Sequence, residues 1–258
     1  MISRIVCRFR FISRIGIAAL VMLTACGREA PDTVILVSAD AEWRALLGVV
    51  TPETMASSPL GAWFARDVSF ADGTRRVIFF HGGWGKIAAA ASTQYVIDRW
   101  HPRYLLNLGT CGGLHGRAAR GDVFLVEEAI TYDIEERMGD SDEAIAHYTT
   151  RLSTPRVAAA AMSGLRSGRI VSADRDVRPE DASALGDRYD ASIADWESSA
   201  IAHVARRNQT TLYIIRAVSD VVSADGSAAY GDLAVFEAES RAVMKRLVDL
   251  LEHVTLAP

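Results

Sequence analysis

TVILVSADAEWRALLGVV, residues 33–50, opens on a β-branched run without a polar residue from Val34 to Val37 and turns at once into a short helical stretch, 40–50. A strand that is apolar throughout, rather than at alternate positions, is one buried on both faces, as in a parallel sheet covered by helices. The same unit recurs along the chain. RRVIFF (75–80) leads through the glycine loop HGGWGK (81–86) into the helical stretch IAAAASTQYVIDRW (87–100), closed by His101-Pro102. RYLLNLG (103–109) is a strand entering the loop TCGGLHG, DVFLVEEAI (122–130) is another, and TPRVAAAAMSGL (154–165) reads as a helix. GRIVSA (168–173) is a strand, IADWESSAIAHVARR (193–207) a strand-to-helix turn, TLYIIRAVS (211–219) the last strand, and 233–254 a long amphipathic helix. The expected fold is therefore a single α/β domain over 33–258, with a mainly parallel (mixed) twisted sheet flanked by helices.

The 258 residues, half of them hydrophobic, suffice for one large domain and leave little for a second. Residues 1–25 are of another kind: four arginines, no acid, and the 11-residue apolar stretch IGIAALVMLTA. That stretch is short of the about 20 residues a bilayer span needs, but suits the apolar part of a signal peptide. It ends in LTAC (23–26), which resembles a bacterial lipobox, so Cys26 is expected to carry lipid, with 26–32 as a short tether. Cys7 then leaves with the leader and Cys111 stands alone, so no internal disulfide is expected. The expected location is the cell envelope, on the periplasmic side of a bacterial membrane. Overall charge is −4; removing the four leader arginines leaves −8. A body that acidic, with no Lys/Arg-rich run, argues against nucleic acid as partner.

Ligands of open α/β sheets collect at the carboxyl ends of the strands. Here those ends carry acids and two glycine loops, which suits a polar ligand with hydroxyls and ring nitrogens. HGGWGK is not a phosphate-binding P-loop, because Phe80 stands at the first-glycine position and Ile87 where Ser or Thr is required; GTCGGL is not GxGxxG. The six histidines are scattered without HExxH, and CxxC is absent, so neither metal nor cofactor is expected. No GxSxG elbow supports a serine hydrolase. Asp195 and Glu197 flank Trp196 where a helix begins. An acid there serves either the helix dipole, for about 0.3–1 kcal/mol, or a ligand, and the segment alone leaves both open. RAVSD (216–220) sets Arg216 four residues before Asp220 at the end of a buried strand, a spacing by which the cation could hold and tune the carboxyl as a proton donor.

NLGTCGGL (107–114), DWESSAIAHV (195–204) and RAVSD (216–220), in this order, together with GGWGKIAAA, resemble the purine nucleoside phosphorylase superfamily, nearest its methylthioadenosine/S-adenosylhomocysteine nucleosidases. The resemblance covers roughly residues 33–254. It implies cleavage of a purine–ribose bond, with a 5′-modified adenosine as substrate. Asp220 then serves the leaving base at N7, Glu197 grips the ribose hydroxyls, and Thr110 lies near the ribose and the nucleophile. Trp196 walls the pocket, Asp176 and Val177 stand beside the base, Arg216 supports Asp220, and Asp195 is structural. Asn107 replaces the arginine that phosphorylases of this superfamily carry, and the first strand lacks their G-D-P-x-R loop, so water is the expected nucleophile and Glu42 its base. Family nucleosidases read A-M-x-x-E after the first strand, whereas ADAE (39–42) brings the acid one residue early, with Trp43 in the usual place. A contraction of the turn is then required. A phosphorylase using Arg44 or Lys86 for the anion, and a relative that binds nucleosides without turnover, are the alternatives. By resemblance the chain is expected to form a homodimer.

Overall fold

Every apolar run named above as a strand is one. The structure is a computed structural model that describes residues 31–161, 163–227 and 233–256, and of Leu233 and Val235 the backbone alone. The expected leader, Cys26 and the tether up to residue 30 lie outside the described residues. The chain runs β1 (Thr33–Val37), α1 (Asp40–Val49), β2 (Ala56–Ser58), β3 (Gly61–Phe70), β4 (Gly73–His81), α2 (Gly85–Trp100), β5 (Tyr104–Leu114) and β6 (Val123–Thr131). There follow α3 (Ser141–Tyr148), β7 (Thr150–Arg151), β8 (Arg156–Val157), β9 (Leu165–Ser172), α4 (Ala182–Tyr189) and β10 (Ala191–Asp195). The last elements are α5 (Ser198–Arg207), β11 (Thr211–Val222), α6 (Leu233–Leu250) and β12 (Val254–Thr255).

One mixed sheet, in the order β10-β9-β6-β11-β5-β1-β4-β3-β2, forms the centre, and β10 also pairs with β5. The strands read as apolar throughout pair in parallel, β4–β1–β5–β11, with Ile35 beside Phe79 and Leu106. Antiparallel pairs come from the hairpins β2–β3–β4 and from β6, which runs against β11. Ile35, Val37, Leu106, Ile215 and Ala217 face one core cluster, with α1 packed on α6; Val34, Leu36, Leu105, Ile214 and Val218 face the other, with α2 packed on α5. Two-sided burial is what the unbroken apolar runs require.

The helix expected over 154–165 is not formed. Arg156–Val157 pairs instead with the C-terminal β12, residues 159–161 make one 3₁₀ turn, and Gly164 adopts φ +71° before β9 begins. The alanine run has helical propensity, but pairing with β12 fixes its start and a left-handed glycine closes its end. Among the described residues no helix is long and apolar enough to cross a membrane.

Candidate active site

β1 ends at Val37 and α1 begins at Asp40, so only Ser38 and Ala39 span the turn. So short a turn makes Glu42 the third residue of the helix. Its Oε2 accepts the Ala39 N–H at 2.9 Å, which is the carboxylate half of a capping box, and its Oε1 accepts the Thr110 hydroxyl. Glu42 is therefore buried against Thr110 of β5. Trp43 packs in the core, its ring stacked on His81 at 5.3 Å.

The acids around Trp196 have different surroundings. Asp195 accepts the Ser198 N–H at 3.1 Å, the Ser198 hydroxyl at 2.6 Å and the Ser172 hydroxyl at 2.6 Å, so it caps α5. It also pairs with Arg216 at 2.8 Å, both side chains almost wholly buried. Glu197 occupies the N-cap position of α5 without capping it. Its Oε1 accepts the Gly85 N–H at 3.0 Å, across from the glycine loop. Burial first, and the charge of Asp195 second, push the Glu197 carboxyl up to about 8, against the pull of Arg216 and the Gly85 N–H. Desolvation without a cation of its own gives this carboxyl the properties of a ligand-facing group.

Arg216 does not hold Asp220. Its guanidinium donates to Asn107 Oδ1 at 2.6 Å and to Ser198 Oγ at 2.9 Å, besides pairing with Asp195. In an unbroken strand residues four apart share a face. The β11–β5 register shifts between Val218 and Asp220, however, leaving Ser219 as an extra residue, and such a bulge sends Asp220 to the opposite face. Asp220 accepts the Ser219 hydroxyl at 2.8 Å and the Ser227 hydroxyl, and among the described residues no cation bonds it.

Trp196 is half-buried; its Nε1 donates to Asp176 at 3.3 Å and its ring lies 5.3 Å from that of Trp84, which is 68% exposed. Val177 is buried in the apolar cluster of Leu114, Tyr132 and Ala194. Lys86 donates to Asp133, stands 3.7 Å from Asp174 and gives its backbone N–H to Asp174; Arg44 pairs on the surface with Glu237. Cys111 is buried and its thiol is pushed well up by desolvation. Of the residues singled out in the sequence, the structure joins Glu42 to Thr110, Trp196 to Asp176, and Arg216 to Asp195 and Asn107. Gly85, Trp84, Ser219 and Ser227 complete the partnerships without having been singled out. Gly85 has a left-handed φ of +80° and a Cβ there would meet Asp174 Oδ1 at 2.9 Å, two separate reasons for glycine, and GGWGK carries that signal in its glycines. The bulge at Ser219 leaves none. A groove of about 740 Å³ lined by Arg66, Arg241 and Lys245 shares no residue with this site.

Comparison with known proteins gives the same reading. The family model of the phosphorylase superfamily matches residues 57–255. The 5′-methylthioadenosine/S-adenosylhomocysteine nucleosidase of Thermotoga maritima is 30% identical over 150 residues, 58% of this chain and 68% of the relative. The protein of that name from Bacillus subtilis is 27% identical over 166 residues, 60% of this chain and 72% of the relative. In fold, the chain is similar to the 5′-methylthioadenosine nucleosidase of Arabidopsis thaliana (TM-score 0.71, 22% identity, 90% of this chain and 98% of that one). It is also similar to a futalosine hydrolase mutant of Helicobacter pylori (TM-score 0.61, 15% identity, 85% and 98%). The chain belongs to the phosphorylase superfamily, among the methylthioadenosine/S-adenosylhomocysteine nucleosidases.

Proposed function

We propose that the protein hydrolyses the N-glycosidic bond of a purine ribonucleoside, with 5′-modified adenosines such as methylthioadenosine and S-adenosylhomocysteine as substrates. The observation that carries this reading is the joining of Glu42 to Thr110 at the ends of β1 and β5, on the parallel path that also ends in Asp220. Glu42 takes a proton from the attacking water, held beside the Thr110 hydroxyl. Asp220 protonates, or hydrogen-bonds, N7 of the leaving purine. Glu197 binds the ribose hydroxyls and, once ionised, stabilises the cationic sugar of the transition state. Asp176 and Val177 adjoin the base, and Trp196 walls the pocket.

Phosphorolysis is disfavoured because the candidate anion-binding cations are engaged: Lys86 by Asp133 and Asp174, Arg44 by Glu237. Purified protein incubated with methylthioadenosine, S-adenosylhomocysteine, adenosine and inosine, with and without phosphate, is expected to release free base without phosphate. In Asp220→Asn the rate should fall by about 10²- to 10⁴-fold. Release only with phosphate would make it a phosphorylase, and nucleoside bound without release a binding protein. Residues 1–25 and Cys26 support a lipid-anchored protein of the bacterial envelope, which labelling with a radioactive fatty acid and its loss in Cys26→Ser would test. The exposed Trp84 and Ile87 at the start of α2 offer an apolar stripe for a second copy, and a homodimer is the expected mass in solution.

A further inference from the structure

At its N-cap, Trp84, α2 has no capping side chain of its own. Its first two amides are taken instead by carboxylates from other strand ends: the Gly85 N–H by Glu197 Oε1 at 3.0 Å, and the Lys86 N–H by Asp174 Oδ1 at 2.8 Å. Asp174 follows β9 and Glu197 follows β10, so two neighbouring strands fix the start of this helix. The Lys86 ammonium donates to Asp133, beyond β6, and stands 3.7 Å from Asp174 Oδ2. Asp133 in turn accepts the Asp174 N–H at 3.1 Å, which closes a ring of bonds through Lys86, Asp174 and Asp133. The Lys86 and Asp133 side chains are only 21% and 18% exposed, so water and salt screen this pair less than a surface one. The Gly85 and Lys86 amides are adjacent in the chain, and the ring that pins the second orients the first. Among the described residues, that Gly85 N–H is the hydrogen-bond donor to Glu197.

We propose that Lys86 is a positioning residue for the nucleosidase reaction, bracing the Gly85 N–H against Glu197 through its ring with Asp174 and Asp133. This rests on the nucleosidase reading above. An amide held on a carboxylate favours the ionised form, so loosening the brace makes Glu197 harder to ionise. The other charges about Glu197 are bonded elsewhere and stay in place: Asp195 with Arg216, and Glu42 with Ala39 and Thr110. Lys86→Met removes the ammonium, and Asp133→Ala removes its acceptor. By charge alone, losing the cation raises the ionisation midpoint of Glu197 and losing the anion lowers it; loss of the brace raises it in both. In each variant the rising limb of kcat/KM against pH is expected to move up by about one pH unit, which lowers kcat/KM at pH 7 roughly tenfold. Lys86→Arg, whose guanidinium can bridge the same carboxylates, should return the limb to its wild-type midpoint. Shifts of opposite sign, or a lowered rate with an unmoved midpoint, as a merely structural role would give, overturn the brace and leave the nucleosidase reading intact. Should Asp133→Ala not fold, Asp174→Ala, which removes the acceptor of the Lys86 N–H and again an anion, is read in its place. Absence of base release from methylthioadenosine by the wild type refutes the nucleosidase reading instead. The brace is then judged by carboxyl 13C NMR titration of Glu197, its signal identified by its loss in Glu197→Gln; a midpoint unmoved or lowered in Asp133→Ala overturns it.

Discussion

Glu197→Gln should make the protein more stable at alkaline pH while disabling it. The carboxyl binds a proton with a pKa of about 8 when folded, against the ordinary 4.5. Between those values the folded chain holds a proton that the unfolded chain has released, so this group makes stability fall as pH rises. At 1.36 kcal/mol per unit, the window from pH 5 to pH 8 corresponds to about 3 kcal/mol. Glutamine keeps an oxygen to accept the Gly85 N–H and never ionises, so that loss is absent from the variant. Urea denaturation at pH 5, 6, 7 and 8 should show the stability difference, variant minus wild type, increasing by about 3 kcal/mol across the series. For a domain of this size, that is a Tm gap widening by roughly 6–12 °C. The comparison cancels titrating groups that do not interact with Glu197, because they behave alike in both proteins. A difference that stays constant with pH would refute the argument that the Glu197 carboxyl is desolvated. Turnover provides the complementary readout: the wild-type kcat/KM should climb with pH toward 8 as the sugar-stabilising anion forms, and the variant should show no such limb.

Thr110→Val preserves shape but removes the hydroxyl bonded to Glu42; kcat is expected to fall by about 10²-fold, with the urea midpoint little changed. Arg216→Met leaves Asp195 buried without its cation and should cost about 3–5 kcal/mol in urea denaturation, because an uncompensated internal charge remains. In Gly109→Ala the new methyl would meet Arg216 Nη1 at 2.0 Å, and that guanidinium is held by Asn107, Ser198 and Asp195. A loss of about 1–3 kcal/mol is expected, and unchanged stability would mean that Arg216 is freer than its bonds imply.

The fold was legible wherever burial leaves a mark on composition. VILV, VIFF, YLL and LYII are apolar on successive residues because both sides of those strands are covered, and each is a central strand. Strands with one open face were harder to read. Gly61–Phe70 carries Arg66 and Asp67 and went unmarked, although it pairs with β4 from Trp63 to Phe70. The short helices at 141–148 and 182–189 bury few residues and have only a weak apolar face to show. The 154–165 segment failed for a different reason: its partner, β12, lies about 100 residues downstream, and local propensity carries no trace of so distant a contact.

At the site the decisive information is which way a side chain points. Residue types gave the acids, but a two-residue turn decides that Glu42, and not Trp43, faces Thr110, and one extra residue in β11 decides that Asp220 turns from Arg216. Asp195 and Glu197 make the same point most directly. They stand two apart at the mouth of one helix, both carboxylic acids with buried side chains. Asp195 is saturated by Ser172, Ser198 and Arg216, and a group so bonded has nothing left for a ligand. Among the described residues Glu197 is bonded by one amide and by no cation, and so retains lone pairs and a raised proton affinity. A carboxylate kept under-bonded inside the protein destabilises the empty site. The ribose hydroxyls are the donors that would remove that cost, so the binding energy at this position comes largely from what the folded chain leaves unmade.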